Sequence, residues 1–274
     1  MPEGPEIRRA ADAIARVLEG RVIESAELCH PALKGMQKHI VGHTVEGLET
    51  RGKALLTHFS SGKTVYSHNQ LYGVWKVRKK GRMSRTNRAL RIGLHTKENS
   101  ALLYSATDIS LWDTVNVYQH PFLARLGPDL LANDLNAETL VQRLLSSDFN
   151  NRRLASLYLD QKFIAGVGNY LRSEILFFAR VNPLLKPKEL DLSSKRKLAR
   201  NTLMIGQRSY RTNGVTLPAR LVSKNTKPGG RYYERDRFAV FARAGKPCRT
   251  CGTSVEKSVL ASRRIYWCPT CQRV

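Results

Sequence analysis

Two pairs of cysteines near the carboxyl end of the chain have the spacing of a metal site. Cys248 and Cys251 form one CxxC motif, Cys268 and Cys271 form a second, and sixteen residues separate the two. Four thiolates in this pattern are typical of zinc ribbons, in which protein fills every ligand position. A redox dithiol or unrelated cysteines are the alternatives, and the spacing favours one structural Zn²⁺ that performs no chemistry. Cys29 stands apart and is expected to be a buried core thiol.

The residues between the two CxxC motifs predict a hairpin with a basic tip. Residues 258–265 must reverse the chain direction, which places Arg263 and Arg264 at the end remote from the metal. A basic tip on a rigid hairpin can reach a phosphate. The alternative is a charged turn that is only solvated.

A glycine-rich turn precedes a predicted helix at residues 170–179. Gly166 and Gly168 allow backbone N–H groups to approach a ligand, and Asn169 suits the N-cap position. The start of such a helix accepts a phosphate oxygen. An ordinary tight turn between two helices explains the stretch equally well, and the basic background favours contact with a nucleic-acid backbone.

The elements that must position these residues fall into two groups. Apolar residues at helical spacing predict a helix over 5–19. Short β-branched or aromatic stretches then predict antiparallel strands at 21–28, 55–59, 64–68, 74–77, 90–95 and 101–106. Helical periods follow at 139–145, 154–159, 170–179 and 194–205. The sequence therefore predicts an α+β multidomain protein, with an N-terminal antiparallel β-sandwich and its flanking helix before a helical domain that carries a zinc ribbon.

The change of pattern near residue 126 gives the expected domain boundaries. We expect the sandwich to occupy 1–125, a linker 126–135, the helical domain 136–235 and the zinc finger 236–274.

The charge of the chain indicates a polyanionic partner. There are 46 Lys and Arg against 22 Asp and Glu, which gives a formal net charge of +24 and a pI of about 10.3. Residues 207–274 alone contain 15 Lys and Arg and three Asp and Glu. Nucleic acid is the first candidate partner and an anionic membrane the second. Because there is no run of 18 apolar residues and no signal-peptide pattern, we expect a soluble intracellular protein without a membrane partner.

Several motifs together resemble the formamidopyrimidine-DNA glycosylase and endonuclease VIII family. They are MPEGPE at the start, Arg51-Gly52-Lys53, the GVGN turn with its helix, and the CxxC pair with an arginine five residues before the third cysteine. The stretches ETRGKALLTHFS, YSHNQLYGVW, LDQKFIAGVGNYLRSEIL and YWCPTC are similar to endonuclease VIII in particular. The resemblance covers nearly the whole chain and is loosest at 185–235. It implies a helix-two-turn-helix domain and a bifunctional DNA glycosylase and abasic-site lyase.

The resemblance assigns the chemistry to the amino terminus. Removal of Met1 would expose the secondary amine of Pro2 as a nucleophile that attacks the sugar C1′ and forms an imine. Glu3 would open the ribose ring as an acid and shuttle protons, and Glu6 would tune or position it. Lys53 is implied as a further proton donor and phosphate contact, and its alternative is a solvated strand lysine.

The same resemblance assigns contacts to DNA. A glycosylase extrudes its target nucleotide, and the loop Gln70-Leu71-Tyr72 resembles the family's void-filling segment. The alternative is a hairpin turn with Leu71 and Tyr72 in the core. Phosphate contacts are implied for Arg125, Asn169 and Arg263, with Arg263 grouped with the catalytic residues. Arg264 adds supporting charge only.

The expected substrate is damaged double-stranded DNA carrying an oxidised pyrimidine. The expected protein is a monomer in a bacterial cytoplasm, associated with the nucleoid through DNA. An enzyme for oxidised purines, a zinc-dependent nucleic-acid-binding protein without catalysis, and an RNA-binding accessory factor are the alternatives. The segment 207–235 could cover the flipped base. It resembles the family least, so the resemblance does little to decide between pyrimidine and purine substrates.

Overall fold

The computed structural model describes residues 2–82, 84–223, 236–260 and 262–273. The chain divides into two compact units, 1–125 and 126–274. The helices are α1 Gly4–Leu18, α2 Ala137–Leu145, α3 Leu154–Leu157, α4 Asn169–Ala179 and α5 Leu192–Arg211. The strands are β1 Ser25–Leu28, β2 Val45–Arg51, β3 Ala54–Phe59, β4 Lys63–His68, β5 Val74–Lys79, β6 Leu90–His95, β7 Asn99–Tyr104, β8 Asp108–Asp113, β9 Glu256–Leu260 and β10 Arg263–Trp267.

The N-terminal unit is a sandwich of two four-stranded antiparallel sheets. One sheet has the strand order β1-β6-β7-β5 and the other β2-β3-β4-β8. A single apolar core contains alternate side chains of both sheets, among them Leu55, Phe59, Val65, Trp75, Ile92, Leu94 and Leu103. The members of this core alternate along the strands, as one core-facing side of each sheet requires, and the predicted fold class is confirmed.

Helix α1 closes one side of this core. Ile7, Ala11, Ile14 and Leu18 recur at helical spacing, and none of the four is more than 4% exposed. Full burial of each large aliphatic side chain contributes roughly 1.5–3 kcal/mol. The packing therefore fixes the amino end of the chain, which most proteins leave frayed.

Two strands of the sandwich were not predicted from the sequence. β2 and β8 are the outer strands of the second sheet, and both carry many half-buried or exposed positions. Such strands lack the apolar alternation by which a strand is recognised.

The C-terminal unit is built around α4, in which nine of 11 residues are buried. It packs against α5 and β10. Its core includes Leu140, Leu154, Tyr158, Phe163, Leu171, Ile175, Leu198 and Ile205. β9 and β10 form a separate antiparallel hairpin. Within the described residues, the structure contains no helix of the length and apolarity that crossing a membrane requires.

Candidate active site and metal centre

The proposed catalytic residues at the amino terminus are held by the first turn of α1. Glu3 is 2% exposed, and its backbone N–H donates to Oε2 of Glu6 at 3.0 Å. Oε1 of Glu6 accepts from Arg9 at 2.9 Å. The Glu3 carbonyl begins the helix by accepting from Glu6 and Ile7. The helix dipole stabilises a carboxylate beside a helix N-terminus. The burial of Glu3 and these backbone hydrogen bonds give Pro2 and Glu3 a defined position.

Lys53 lies in the tight turn between β2 and β3. Gly52 has φ +61°, in the left-handed region that favours glycine. Lys53 is half-buried, and the next residue, Ala54, pairs with His68 across the sheet. Burial lowers the pKa of His68, and the nearby charge of Lys53 lowers it further. The turn thus places the Lys53 cation beside His68 at the end of β4. The sequence analysis did not single out His68.

The Gln70-Leu71-Tyr72 loop projects into solvent between β4 and β5. Leu71 is 50% exposed and Tyr72 is 65% exposed, so neither side chain lies in the core. Gln70 has φ +47°, and its Oε1 accepts from the Thr107 hydroxyl at 3.0 Å. At Gly73 an added Cβ would lie 2.5 Å from the Asn69 carbonyl oxygen, so the close approach that shapes the loop requires glycine.

An aromatic and ionisable cluster covers the outer face of β4 and β8, and sequence analysis did not find it. The rings of Tyr66 and His120 stack with centroids 3.9 Å apart, and the Tyr66 hydroxyl donates to Asp108 at 3.2 Å. Burial raises the pKa of Tyr66 and lowers the pKa of His120. The guanidinium of Arg125 lies 5.7 Å from the centre of the Phe122 ring. The cluster fixes the segment that ends at the exposed Arg125.

A second polar network anchors the strand that leads to Lys53. The Tyr118 hydroxyl donates to Glu49 Oε2 at 2.6 Å, and Arg51 Nε lies 2.5 Å from Glu49 Oε1. His58 Nε2 is 3.6 Å from the same carboxylate. Partial burial alone would raise the pKa of Glu49, but bonds from His58 and Tyr118 and the charge of Arg51 lower it to about 2.

The turn at 166–169 is joined to the tip of the β9–β10 hairpin. The N-cap of α4 is Gly168, and Asn169 is the first helical residue, so the N-cap assignment of Asn169 was wrong. The Asn169 side chain instead donates through Nδ2 to the Arg264 carbonyl at 2.9 Å. The buried Arg172 donates to that carbonyl at 2.9 Å and to Asn169 Oδ1 at 2.6 Å. Arg263 stands next to this junction as the first residue of β10 and is exposed.

A fully buried glutamate ties α4 to the segment before the zinc site. Glu174 accepts from the Thr216 hydroxyl at 2.5 Å and from the backbone N–H groups of Ala239, Val240 and Phe241 at 2.8–2.9 Å. Burial raises its pKa, and these hydrogen bonds act in the opposite direction. No sequence motif pointed to this residue.

The four paired cysteines converge at one point. Their Sγ atoms all lie within 4.8 Å of one another. The distances from Cys248 to Cys271 and from Cys251 to Cys268 are 3.9 and 3.5 Å. Zn–S bonds of about 2.3 Å put tetrahedral sulfurs about 3.8 Å apart, whereas a disulfide needs about 2.05 Å. Bonds from Thr253 lower the pKa of Cys251 to about 6, whereas burial raises the pKa values of Cys268 and Cys271. The donor set fits one structural Zn²⁺, as the spacing predicted.

Cys29 is exposed, which corrects its predicted core position. It follows Leu28, whose side chain is buried at the end of β1. The alternation of a strand then turns the next side chain away from the core.

Comparison with known proteins identifies relatives over the whole chain. Family models match for the formamidopyrimidine-DNA glycosylase N-terminal domain at 1–108, the formamidopyrimidine-DNA glycosylase H2TH domain at 126–219, and the zinc finger found in FPG and IleRS at 245–274. The chain is 47% identical over 272 residues to Endonuclease 8 of Escherichia coli O17:K52:H18 and of Shigella sonnei, covering 99% of this chain and 100% of each relative.

Solved structures share the fold at lower sequence identity. Lactococcus lactis Fpg in a complex with DNA that contains an abasic site superposes with a TM-score of 0.82. The two chains are 21% identical, and the match covers 99% of this chain and 100% of that one. At this identity the likeness demonstrates the fold alone.

Proposed function

The chain belongs to the formamidopyrimidine-DNA glycosylase and endonuclease VIII family, and we propose that it excises oxidised pyrimidines through an imine formed at Pro2. It is a DNA glycosylase and abasic-site lyase of base excision repair, as its 47% identity to Endonuclease 8 relatives over nearly the full length supports. The preference for pyrimidines and the role of each residue are parts of the proposal.

The observation that carries the mechanism is the position of Pro2 directly before the buried Glu3 at the start of α1. Removal of Met1 leaves a secondary amine with an ordinary pKa of about 7.7–8.0, so a useful fraction is neutral near pH 7. Its nitrogen attacks C1′, the C1′–base bond breaks, and the base leaves with a proton. The Glu3 carboxyl, 2% exposed, protonates the ring oxygen as the sugar opens to the iminium.

The iminium then drives strand cleavage. It withdraws electrons from C1′, so the 2′ proton becomes acidic, and its removal expels the 3′ phosphate by β-elimination. A second elimination releases the 5′ phosphate, and hydrolysis of the imine frees the amine. Glu3 and Lys53 are the groups proposed to move these protons.

Phosphate contacts would hold the DNA for this reaction. Lys53 and His68 lie together at one end of the β2-β3-β4-β8 sheet. Arg263 lies at the junction that Asn169 forms with the zinc hairpin. Arg125 is presented by the aromatic cluster. Cations and amide donors of this kind position a duplex without reading its sequence.

The exposed loop is suited to fill the gap that base extrusion leaves. Leu71 and Tyr72 offer an apolar and an aromatic side chain at 50% and 65% exposure, and such side chains replace the stacking of a flipped base. The proposal includes a monomer acting in the cytoplasm on damaged duplex DNA. Residues 224–235, in the segment considered as a cover for the flipped base, lie outside the described residues.

Borohydride trapping tests the proposed function. Protein confirmed by mass to begin at Pro2 is incubated with a thymine glycol duplex or an 8-oxoguanine duplex and then reduced. We expect a covalent adduct with the thymine glycol duplex, at least tenfold less adduct for E3Q, and no loss for the matched control E19Q at the exposed end of α1.

The other outcomes assign the alternatives. An adduct only with 8-oxoguanine would move the substrate class to oxidised purines. No adduct with either duplex, from zinc-loaded protein that begins at Pro2, would leave a non-catalytic binder. Active protein that still begins with Met1 would exclude Pro2 as the nucleophile, because its nitrogen would be an amide.

A further inference from the structure

The C-terminal unit contains a cavity that the proposed function does not use. Its volume is about 220 Å³, and it lies between the carboxyl end of α4, the segment after α5 and residues beside the zinc cysteines. Phe177, Leu217 and Ala239 form its apolar wall, and none of the three is more than 6% exposed. Because an apolar cavity of about 150 Å³ admits benzene, this one has room for an aromatic or aliphatic side chain.

The rim of the cavity is positively charged. Arg180, Arg220 and Arg249 line it, and there is no aspartate or glutamate among the lining residues. Arg249 lies 3.9 Å from the carboxylate of Asp236 and donates to the Phe238 carbonyl oxygen at 3.3 Å. Arg180 and Arg220 are exposed, and neither makes a hydrogen bond or ion pair with any residue that the structure describes. Within the described residues, two guanidinium groups are therefore left for an anionic ligand.

Arg180 occupies a backbone position that favours glycine. It is the C-cap of α4, with φ 58° and ψ 37° in the left-handed region. Glycine adopts this conformation without steric cost and is the usual residue for it at the end of a helix, whereas an arginine there is strained. A ligand that binds the guanidinium would explain why a long cationic side chain stands at this point of the rim.

The cavity lies at the end of α4 that is remote from the proposed DNA contact. Asn169 is the first residue of α4 and Arg180 follows the last, so about 16 Å of helix separates them at 1.5 Å per residue. This distance is about twice the Debye length at physiological salt, so phosphates bound at Asn169 would hardly affect the charge at the rim. This step rests on the proposed function, because it takes Asn169 as a DNA contact.

We propose that this cavity binds an acidic peptide segment of a partner protein. One aromatic or aliphatic side chain of the peptide enters the cavity, and neighbouring carboxylates pair with Arg180 and Arg220. A nucleotide base suits the cavity less well, because its N–H and carbonyl groups would be buried against Phe177 and Leu217 without hydrogen-bond partners. The occupant is thus set by charge complementarity at the rim and by an apolar wall that only a hydrocarbon side chain matches. The partner would remain bound while the enzyme holds DNA.

Fluorescence anisotropy with labelled five-residue peptides tests this assignment. The probe has phenylalanine between two pairs of aspartates; one control peptide replaces the phenylalanine by alanine, and another replaces every aspartate by asparagine. R180Q/R220Q removes the two rim cations, and the matched control R196Q/R200Q removes two exposed arginines of α5 that do not line the cavity. Titrations are made at about 150 mM salt, with and without a saturating lesion duplex. Thermal denaturation verifies that both variants fold.

We expect the probe to bind the wild-type protein with a dissociation constant below about 1 mM. R180Q/R220Q, the alanine peptide and the asparagine peptide should each weaken binding by about fivefold or more, because each removes one of the two matched features. R196Q/R200Q and the lesion duplex should each change it by less than about twofold.

Three results would overturn the proposal. The probe might fail to bind, or both variants might weaken it equally, or the alanine peptide might bind as tightly as the probe; the last two would mean attraction by net charge alone. Displacement of the probe by the duplex, together with weaker duplex binding by R180Q/R220Q, would assign the cavity to DNA instead. Borohydride trapping tests the proposed function separately. An adduct requires Pro2 and not the rim arginines, so R180Q/R220Q should trap like the wild-type protein.

Discussion

Glu49 is an acid whose surroundings hold it ionised, four residues before Lys53 in the chain. Its carboxylate accepts from Tyr118 at 2.6 Å and lies 2.5 Å from Arg51. Because Tyr118 belongs to the segment after β8, these contacts join the outer strand β2 to a part of the chain 69 residues away. The network stabilises the end of β2 and hence the position of Lys53.

The pKa of Glu49 predicts how this network depends on pH. A folded pKa of about 2, below the ordinary 4.5, means that the stabilisation is present above pH 4.5 and is lost as the pH falls through about 2. Y118F should therefore lower the free energy of unfolding at pH 7 by about 1 kcal/mol, a modest value because the Glu49 carboxylate is partly exposed. Urea unfolding at pH 7, 3 and 2 should give a difference that shrinks toward the lowest pH, at which Glu49 becomes protonated in the folded protein.

The matched control for that experiment is Y72F. Tyr72 is 65% exposed, and no hydrogen bond of its hydroxyl is present among the described residues. Its substitution should leave the unfolding free energy unchanged. A Y118F effect that persists unchanged to pH 2 would assign the loss to packing of the ring rather than to the charge of Glu49.

Single residues could be predicted only where their signal is local in the sequence. The zinc cysteines are spaced by two residues within each motif, so their grouping was predictable. Glu174 reads as an ordinary helical glutamate because its partners lie 42–67 residues away. The same holds for Tyr66 and Asp108, which meet only once β4 and β8 pair.

At the scale of elements, hydrogen bonds join the zinc hairpin to the 166–169 turn and the first turn of α4. The Arg264 carbonyl accepts from Asn169 and Arg172, which lie 95 and 92 residues earlier in the chain. Composition suggested a phosphate-binding helix start and a basic tip as two separate features. Their junction could not be predicted, since nothing in either stretch specifies the other.

Removal of the metal should therefore disturb DNA contact far from the thiolates. In C251S the remaining sulfurs no longer complete a tetrahedron, and the hairpin loses the folding energy that a structural zinc supplies. We expect zinc content to fall well below one per chain and affinity for a lesion duplex to fall at least tenfold. The measurements are metal analysis by mass spectrometry and anisotropy titration.

Cys29 provides the control for the zinc experiment. It is exposed and lies outside the cysteine cluster, so C29S should keep both the metal and the affinity. Unchanged DNA affinity in a zinc-free C251S protein would mean that the hairpin does not position Arg263 and Asn169 for binding.

At the scale of the whole molecule, net charge links both units to one partner. The sequence predicted the sandwich and the helical unit because apolar periods of two and near 3.6 residues dominate their cores. It did not reveal β2 and β8, whose half-exposed faces have no such period. Nor did the sequence distinguish cations that are hydrogen-bonded inside the fold, such as Arg172, from cations that can contact DNA.

The surplus of cations makes a quantitative prediction for DNA binding. The net charge is +24, and both units contribute exposed arginines, including Arg125 and Arg263. If six to ten of them neutralise phosphates, counterion release gives a slope of about −5 to −9 in log K against log salt concentration. Affinity for the duplex should then fall roughly 10³–10⁵-fold between 50 and 200 mM salt. A nearly flat response would mean that base and sugar contacts provide the affinity and that the charge serves solubility. A steep slope in the wild-type protein that becomes shallower by about one unit in R263Q would place Arg263 on a phosphate.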